Sequence, residues 1–144
     1  MSDTLLDISA LQSAVASLED GLEVVSDTAW FERQSQKVQN TLIAGVVQNF
    51  ELTYEISIKM IKRRIEMDSS GPNEVDESNF REVLRVAAEK GMIADVEAWF
   101  KYRKMRNITA HTYDHEKAQQ VYRDTLVFII DARALLKNLV ARNG

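Results

Sequence analysis

Cysteine is absent from the 144-residue chain. That excludes a disulfide scaffold, a thiolate zinc site and a cysteine nucleophile. Proline occurs once and glycine five times, and so few breakers leave long uninterrupted segments, which read as helices. No apolar run approaches the roughly 18 residues that cross a bilayer, so no membrane span is expected. Met1 to Leu6 is polar and acidic rather than basic and then apolar, which predicts no signal peptide and suits a cytoplasmic home. His111 and His115 are the only histidines, too few for a histidine-rich metal site. The acids are scattered without the inward Glu pairs and Glu-x-x-His spacing of a di-iron bundle. No glycine-rich phosphate loop occurs. Neither a metal nor a cofactor is expected.

What is present is the balance of a globular protein. Hydrophobic residues make up 45% and charged residues 28%, which excludes disorder for the bulk of the chain. The length suggests one domain spanning residues 1–144, able to bury about 68–70% of its unfolded surface. A net charge of −4 argues against a bulk electrostatic grip on nucleic acid, leaving room for a local basic patch.

Periodicity predicts an all-α, up-and-down antiparallel bundle of about five helices. Leu5, Ile8, Leu11, Val15, Leu18, Leu22 and Val25 form a stripe over about six turns. Val38, Leu42, Val46, Phe50, Tyr54 (or Thr53), Ser57 (or Ile56) and Ile61 continue in a longer second helix, which Lys62, Arg63 and Arg64 are expected to close at its negative end. After Gly71-Pro72, Asn79 followed by Glu82 reads as a capping-box variant. It opens a third helix with an apolar face of Phe80, Val83, Leu84 and Ala87, and Gly91 follows as its left-handed terminator. A fourth helix is expected from Ala94 to Arg106, with Val96, Trp99, Phe100, Tyr102 and Met105 inward. A fifth runs from near Asp114 to about Arg142. Its Thr125 to Ile130 stretch would pass as a strand alone, but its flanks keep helical spacing. Gly21 and Gly45 lie inside helical patterns, where each costs about 1 kcal/mol against Ala unless a neighbouring helix comes close. Trp30 and Phe31 read as a hydrophobic plug between the first two helices rather than a stacking platform.

Chemistry concentrates in Lys101-Tyr102-Arg103-Lys104-Met105-Arg106-Asn107-Ile108-Thr109-Ala110-His111-Thr112-Tyr113-Asp114. A guanidinium holds a phosphate through two parallel hydrogen bonds. An imidazole can take or give a proton near neutrality. Arg106 and His111 on adjacent turns, with Asn107 between them, are what metal-free phosphodiester cleavage requires: one group for the phosphorane charge, one for the proton of a ribose 2′-OH. Capping of two helix ends by Arg106, Asn107 and His111 explains the same residues without chemistry.

The segment Arg106-Asn107-Ile108-Thr109-Ala110-His111-Thr112-Tyr113 matches R-N-x-x-x-H-x-Y, which contains the R-x4-H motif of the HEPN superfamily. With its flanking stretch, the helix that follows and the overall length, the chain resembles the nucleotidyltransferase substrate-binding protein family within HEPN. The resemblance implies a homodimer whose two motifs face one cleft, encoded beside a minimal nucleotidyltransferase (MNT) partner. It implies a metal-independent RNase toxin for which that partner is the antitoxin. On this reading Arg106 binds the scissile phosphate, His111 is general base or acid, and Asn107 orients the phosphate or the His. Tyr113 matches the tyrosine to which, in related pairs, the partner transfers AMP. Lys101, Arg103, Lys104 and Arg106 would add four cations per chain to an RNA groove. The family's name records an alternative, a non-catalytic subunit presenting substrate to the nucleotidyltransferase. A helical scaffold with a vestigial motif is the third reading.

Overall fold

The computed structural model describes residues 5–68, 79–111 and 114–143. Every regular element in them is helical: α1 (Ser9–Ser26), α2 (Thr28–Glu32), α3 (Gln36–Asp68), α4 (Phe80–Glu89), α5 (Val96–Ile108), a 3-10 turn (Thr109–His111) and α6 (His115–Arg142). The expected all-α bundle is there, with one short helix more than periodicity predicted.

That extra helix is α2, around the aromatic pair. Asp27 accepts a hydrogen bond from the Trp30 N–H at 3.3 Å, the short-range capping that lets five residues coil. Phe31 packs against the core as a plug. Trp30 instead lines a groove with Asp20, Glu23 and Asp27.

The first stripe holds from Leu11 to Val25 but fails at its start. Leu5 is 63% exposed and Leu6 is buried in its place, because α1 begins only at Ser9 and the preceding chain is not on the helical period. Asp7 accepts hydrogen bonds from the Ser9 N–H and hydroxyl at 3.0 and 2.7 Å. In α3, Val38 is exposed while Ile43, Val46, Val47, Phe50, Tyr54, Met60, Ile61 and Ile65 are buried. The first turns of α3 overhang the core. Its 33 residues span about 50 Å at 1.5 Å per residue. It runs one turn beyond Arg64 to Asp68, so the basic run precedes its end rather than forming it. The polar residues on its buried stripe are internally satisfied: Thr53 donates to the Asn49 carbonyl and Ser57 to the Thr53 carbonyl, both at 2.7 Å, as burial demands.

Asn79 caps α4 by accepting from the Glu82 N–H at 3.1 Å. Gly91 closes it with φ of 78°. The Gly91 and Met92 N–H groups reach back to the Ala88 and Ala87 carbonyls at 3.0 and 2.9 Å, the two bonds of a Schellman terminator. Asp95, not Ala94, opens α5 by accepting from the Glu97 and Ala98 N–H groups. Asp114 does the same for α6 through Glu116 N–H. Thr125 to Ile130 is helix, with Phe128 and Ile129 buried.

α1 packs antiparallel to α3 and α6, as contacts of Thr53 with Ala14, Arg133 with Glu19, and Asn143 with Leu6 establish. α5 lies against α6. α4 runs in the same sense as α3, since its C-terminal Lys90 meets Asp68 at the end of α3. Gly21 sits at the α1–α3 contact, where an added Cβ would stand 3.4 Å from Val46 Cγ2. Around Gly45 no atom lies within 4 Å of such a Cβ, so no close approach inside the chain explains it.

The centre of the core is aromatic. Phe128 of α6 meets Phe50, Tyr102 and Trp99 edge-on at centroid distances of 4.9, 4.9 and 5.9 Å, the arrangement the ring quadrupoles favour. Tyr54 stacks on Trp99 at 6.5 Å. This cluster ties α3, α5 and α6 together beneath the segment where the chemistry-bearing residues gather.

Candidate functional site

Arg106 lies in the last turn of α5, and the helix passes into the 3-10 turn instead of stopping there. The Asp114 N–H donates to the His111 carbonyl at 3.0 Å, so the cap of α6 lies directly against the 3-10 turn. Arg106 to His111 therefore lie at a helix-to-helix corner built on the aromatic core. Asn107 and His111 are exposed, as are Lys101, Arg103 and Lys104. Thr112 and Tyr113 lie outside the described residues.

Arg106 does not cap a helix end; it reaches across to α3. Its Nε and Nη2 donate to Glu55 Oε1 at 2.9 and 2.6 Å, and Glu51 Oε1 is 3.7 Å from Nη2. Thr109 braces the second carboxylate: its hydroxyl lies 2.7 Å from both Glu51 Oε2 and the Arg106 carbonyl. The Arg106 side chain remains 33% exposed, so a phosphate can approach it from solvent. The hydrogen bond to Glu55, ahead of opposing desolvation, raises the already high pKa of the guanidinium. Arg106 is thus a permanent cation, oriented by two acids and open on one side.

Tyr54, next to Glu55 on α3, is buried in the core. Burial pushes its phenol up to about 12, against the pull of Arg103 and then Arg106, so it stays neutral. Tyr102 donates to the Asp131 carboxylate of α6. Burial first, and then this bond, hold its phenol well above the ordinary tyrosine range. Both tyrosines pack and position; neither is a proton carrier at neutral pH.

The predicted RNA-contacting cations are not one cluster. Lys101 and Lys104 line a groove of about 640 Å³ between α5 and α6, shared with Asp95, Asp124 and Asp131. Arg103 faces α4, with its guanidinium carbon 4.4 Å from the centroid of the Phe80 ring. Helical spacing accounts for the split, since one turn of α5 carries successive side chains to different neighbours.

Glu51 and Glu55 were not legible as site residues, although a signal exists. Two acids four apart on one helix repel each other, and such a pair invites a cation from another element. Among the described residues no cluster of three or more His, Asp or Glu groups could hold a metal ion, and no helix is long and apolar enough to cross a membrane.

The bundle is shared with known proteins. The chain matches the family described as nucleotidyltransferase substrate binding protein like over residues 6–141. It is 44% identical over 138 residues to a protein of Haemophilus influenzae named probable ribonuclease HepT, covering 96% of this chain and 94% of that one. A solved Haemophilus influenzae structure, described as revealing the fold of a substrate binding domain of a nucleotidyltransferase, superposes with a TM-score of 0.90 at 43% identity. That match covers 92% of this chain and 98% of the other. Over nearly its whole length, then, the chain belongs to the nucleotidyltransferase substrate-binding protein family of the HEPN superfamily.

Proposed function

We propose that this chain is a metal-independent endoribonuclease, the toxin partner of a minimal nucleotidyltransferase. It acts as a single helical domain in the cytoplasm. The observation that carries the reading is the corner itself: a preset, partly open guanidinium at Arg106 and an exposed imidazole at His111, five residues apart around one turn. Arg106 takes the scissile phosphate and stabilises the charge that develops on it. His111 moves the proton of the ribose 2′-OH or of the leaving oxygen. Asn107, exposed beside Arg106, supplies an amide donor to the phosphate. The relative named a probable ribonuclease supports the reaction class.

One motif imidazole per chain is a thin catalytic set, and two chains would supply two. The face of α6 that begins at the corner exposes Val127 at 58% and Ile130 at 62%. Beside it, Lys101 and Lys104 stand near Asp124 and Asp131, a mixed rim that a two-fold axis would pair with itself. A homodimer over this surface brings two corners together. Tyr113 sits two residues beyond His111 in the sequence, where nucleotidylation by the partner would add bulk and negative charge against an incoming phosphate.

A non-catalytic, substrate-presenting subunit is the second reading. It is favoured by the pairing of Arg106 with Glu55 and by the description of the solved relative as a substrate binding domain. Expression of the chain alone in bacteria, beside Arg106→Ala and His111→Ala, separates the two. The RNase reading expects growth arrest and RNA degradation with the unaltered chain only, both relieved by the nucleotidyltransferase. A fully toxic His111→Ala would sink the catalytic assignment; no arrest with any of the three would favour the substrate-presenting subunit.

A further inference from the structure

Among the described residues, five arginines are occupied by carboxylates. Arg85 pairs with Glu82 and Glu89, Arg133 with Glu19, Arg64 and Arg142 with Asp68, and Arg106 with Glu55. Arg81 and Arg103 differ. Each is exposed, and each is held over an aromatic ring of the neighbouring helix rather than by an acid. The Arg81 guanidinium carbon stands 4.5 Å from the Phe100 centroid and that of Arg103 4.4 Å from the Phe80 centroid. The two rings pack edge to face at 5.7 Å. Two arginines and two phenylalanines thus interlock across α4 and α5, each helix lending a ring to the other's cation.

A guanidinium held over a ring face is anchored by the ring quadrupole, and an exposed one can still present N–H groups to solvent. Those edges are what a phosphate engages, through paired hydrogen bonds. The stack lowers the conformational entropy that a long flexible side chain loses on binding. Arg103 also lies one turn before Arg106 on α5, and three-residue spacing makes them neighbours on the helix surface. Both guanidiniums act electrostatically on the same Tyr54 phenol.

We propose that Arg81 and Arg103, stacked on Phe100 and Phe80, are a phosphate-binding pair that carries the backbone of single-stranded RNA across the α4–α5 face to Arg106. The proposal rests on the RNA-acting reading above and changes its map. Phosphates follow the α4–α5 face, and Lys101 and Lys104, facing the acid-lined groove on the other side of α5, are not on the path.

Fluorescence anisotropy with a 2′-O-methylated single-stranded oligoribonucleotide, whose blocked 2′ oxygens cannot attack the neighbouring phosphates, tests this across a range of KCl concentrations. Removing two phosphate contacts should make the slope of log K against log salt shallower by about 1.4, at roughly 0.7 per phosphate for single strands. Arg81→Gln with Arg103→Gln is expected to show that change together with at least a tenfold rise in Kd. Arg81→Lys with Arg103→Lys keeps the charge but loses the planar fork, so the slope should stay while Kd rises several-fold. Lys101→Gln with Lys104→Gln should leave the slope within error. A Gln pair that unfolds is recognised by thermal melting, and the Lys pair then decides, with unchanged binding overturning the proposal. An Arg81/Arg103 Gln variant with unaltered Kd and slope would mean that the stacks only clamp α4 to α5. If wild type cleaves unmodified RNA while that variant binds normally, the phosphate path alone fails. If wild type neither binds nor cleaves, the proposed function fails with it.

Discussion

Two clusters of guanidinium and carboxylate groups invite opposite readings. At the α5–α6 corner a single arginine, Arg106, is shared by two acids of one helix, and all three side chains are substantially exposed. Where α3, α4 and α6 end, a single acid is shared by three cations: Arg64, Lys90 and Arg142 converge on Asp68, whose side chain is only 15% exposed. Asn143 extends that knot by accepting from Arg64 at 3.2 Å and exchanging bonds with Leu6. Arg142 also donates to the Lys90 carbonyl at the end of α4. The cations there suit three negative helix ends, and the knot fastens elements distant in sequence. The corner fastens little and leaves an arginine accessible. Burial, more than the number of charges, separates a clamp from a site.

The largest expected effect tests that division directly. His111→Ala should lower RNA cleavage by at least a hundredfold, the scale of a lost general acid or base, while the chain stays folded because the side chain lies outside the core. Asp68→Asn should do the reverse. It removes the charge that two arginines and a lysine share, at a cost of about 2–3 kcal/mol, and should leave cleavage per folded molecule unchanged. Loss of activity in folded Asp68→Asn would break the comparison.

The same residue predicts a pH dependence. Burial alone would raise the Asp68 pKa, but hydrogen bonds from Arg142 and then Arg64 outweigh it and hold the carboxyl below its ordinary 3.8. A carboxyl depressed in the folded state contributes fully above its unfolded pKa and loses that contribution as pH falls through the folded value. Thermal melts from pH 7 down to about 2.5 should therefore show a steeper loss below roughly pH 4 for the unaltered chain than for Asp68→Asn. Parallel curves would remove Asp68 from the account.

A smaller effect separates the two helical glycines. Gly45→Ala should stabilise α3 by about 1 kcal/mol through helix propensity, since an added Cβ meets nothing within 4 Å. Gly21→Ala gains the same propensity but sets its Cβ at 3.4 Å from Val46, so its net effect should be smaller. Denaturant midpoints measure both. A destabilising Gly45→Ala in a dimeric preparation would show that a second chain covers that face.

These glycines also mark how far the sequence could be read. Helices were legible wherever a stripe was long and breakers rare, as in α1, α3 and α6. Gly91 and Asn79 announced the ends of α4 because a left-handed φ and an open N–H each demand a particular residue. Leu5 and Val38 misled because periodicity says nothing about where the core stops and a helix overhangs it. The motif residues were legible as a linear string. Their partners were not: Glu51 and Glu55 come from a helix some fifty residues earlier in the chain, and Arg103 shows its difference from Lys101 and Lys104 only once α4 supplies Phe80. A one-dimensional pattern records which groups are available and leaves to packing which of them meet.

The smallest effect bears most directly on the corner. Glu55 holds Arg106 in place and also competes with any phosphate for it. An exposed pair of this kind contributes about 0.5–1 kcal/mol, so releasing it should change RNA affinity only two- to fivefold. Glu55→Gln keeps a hydrogen-bond acceptor for Arg106 and removes the competing charge, and Kd for a 2′-O-methylated oligoribonucleotide should fall by that factor. Glu55→Ala removes both, so the gain from lost repulsion is offset by a guanidinium free to sample other rotamers, and cleavage should drop even where binding improves. A Glu55→Gln that weakens binding would mean that the carboxylate's service is orientation rather than restraint, and the corner would then resemble the Asp68 clamp more closely than its exposure suggests.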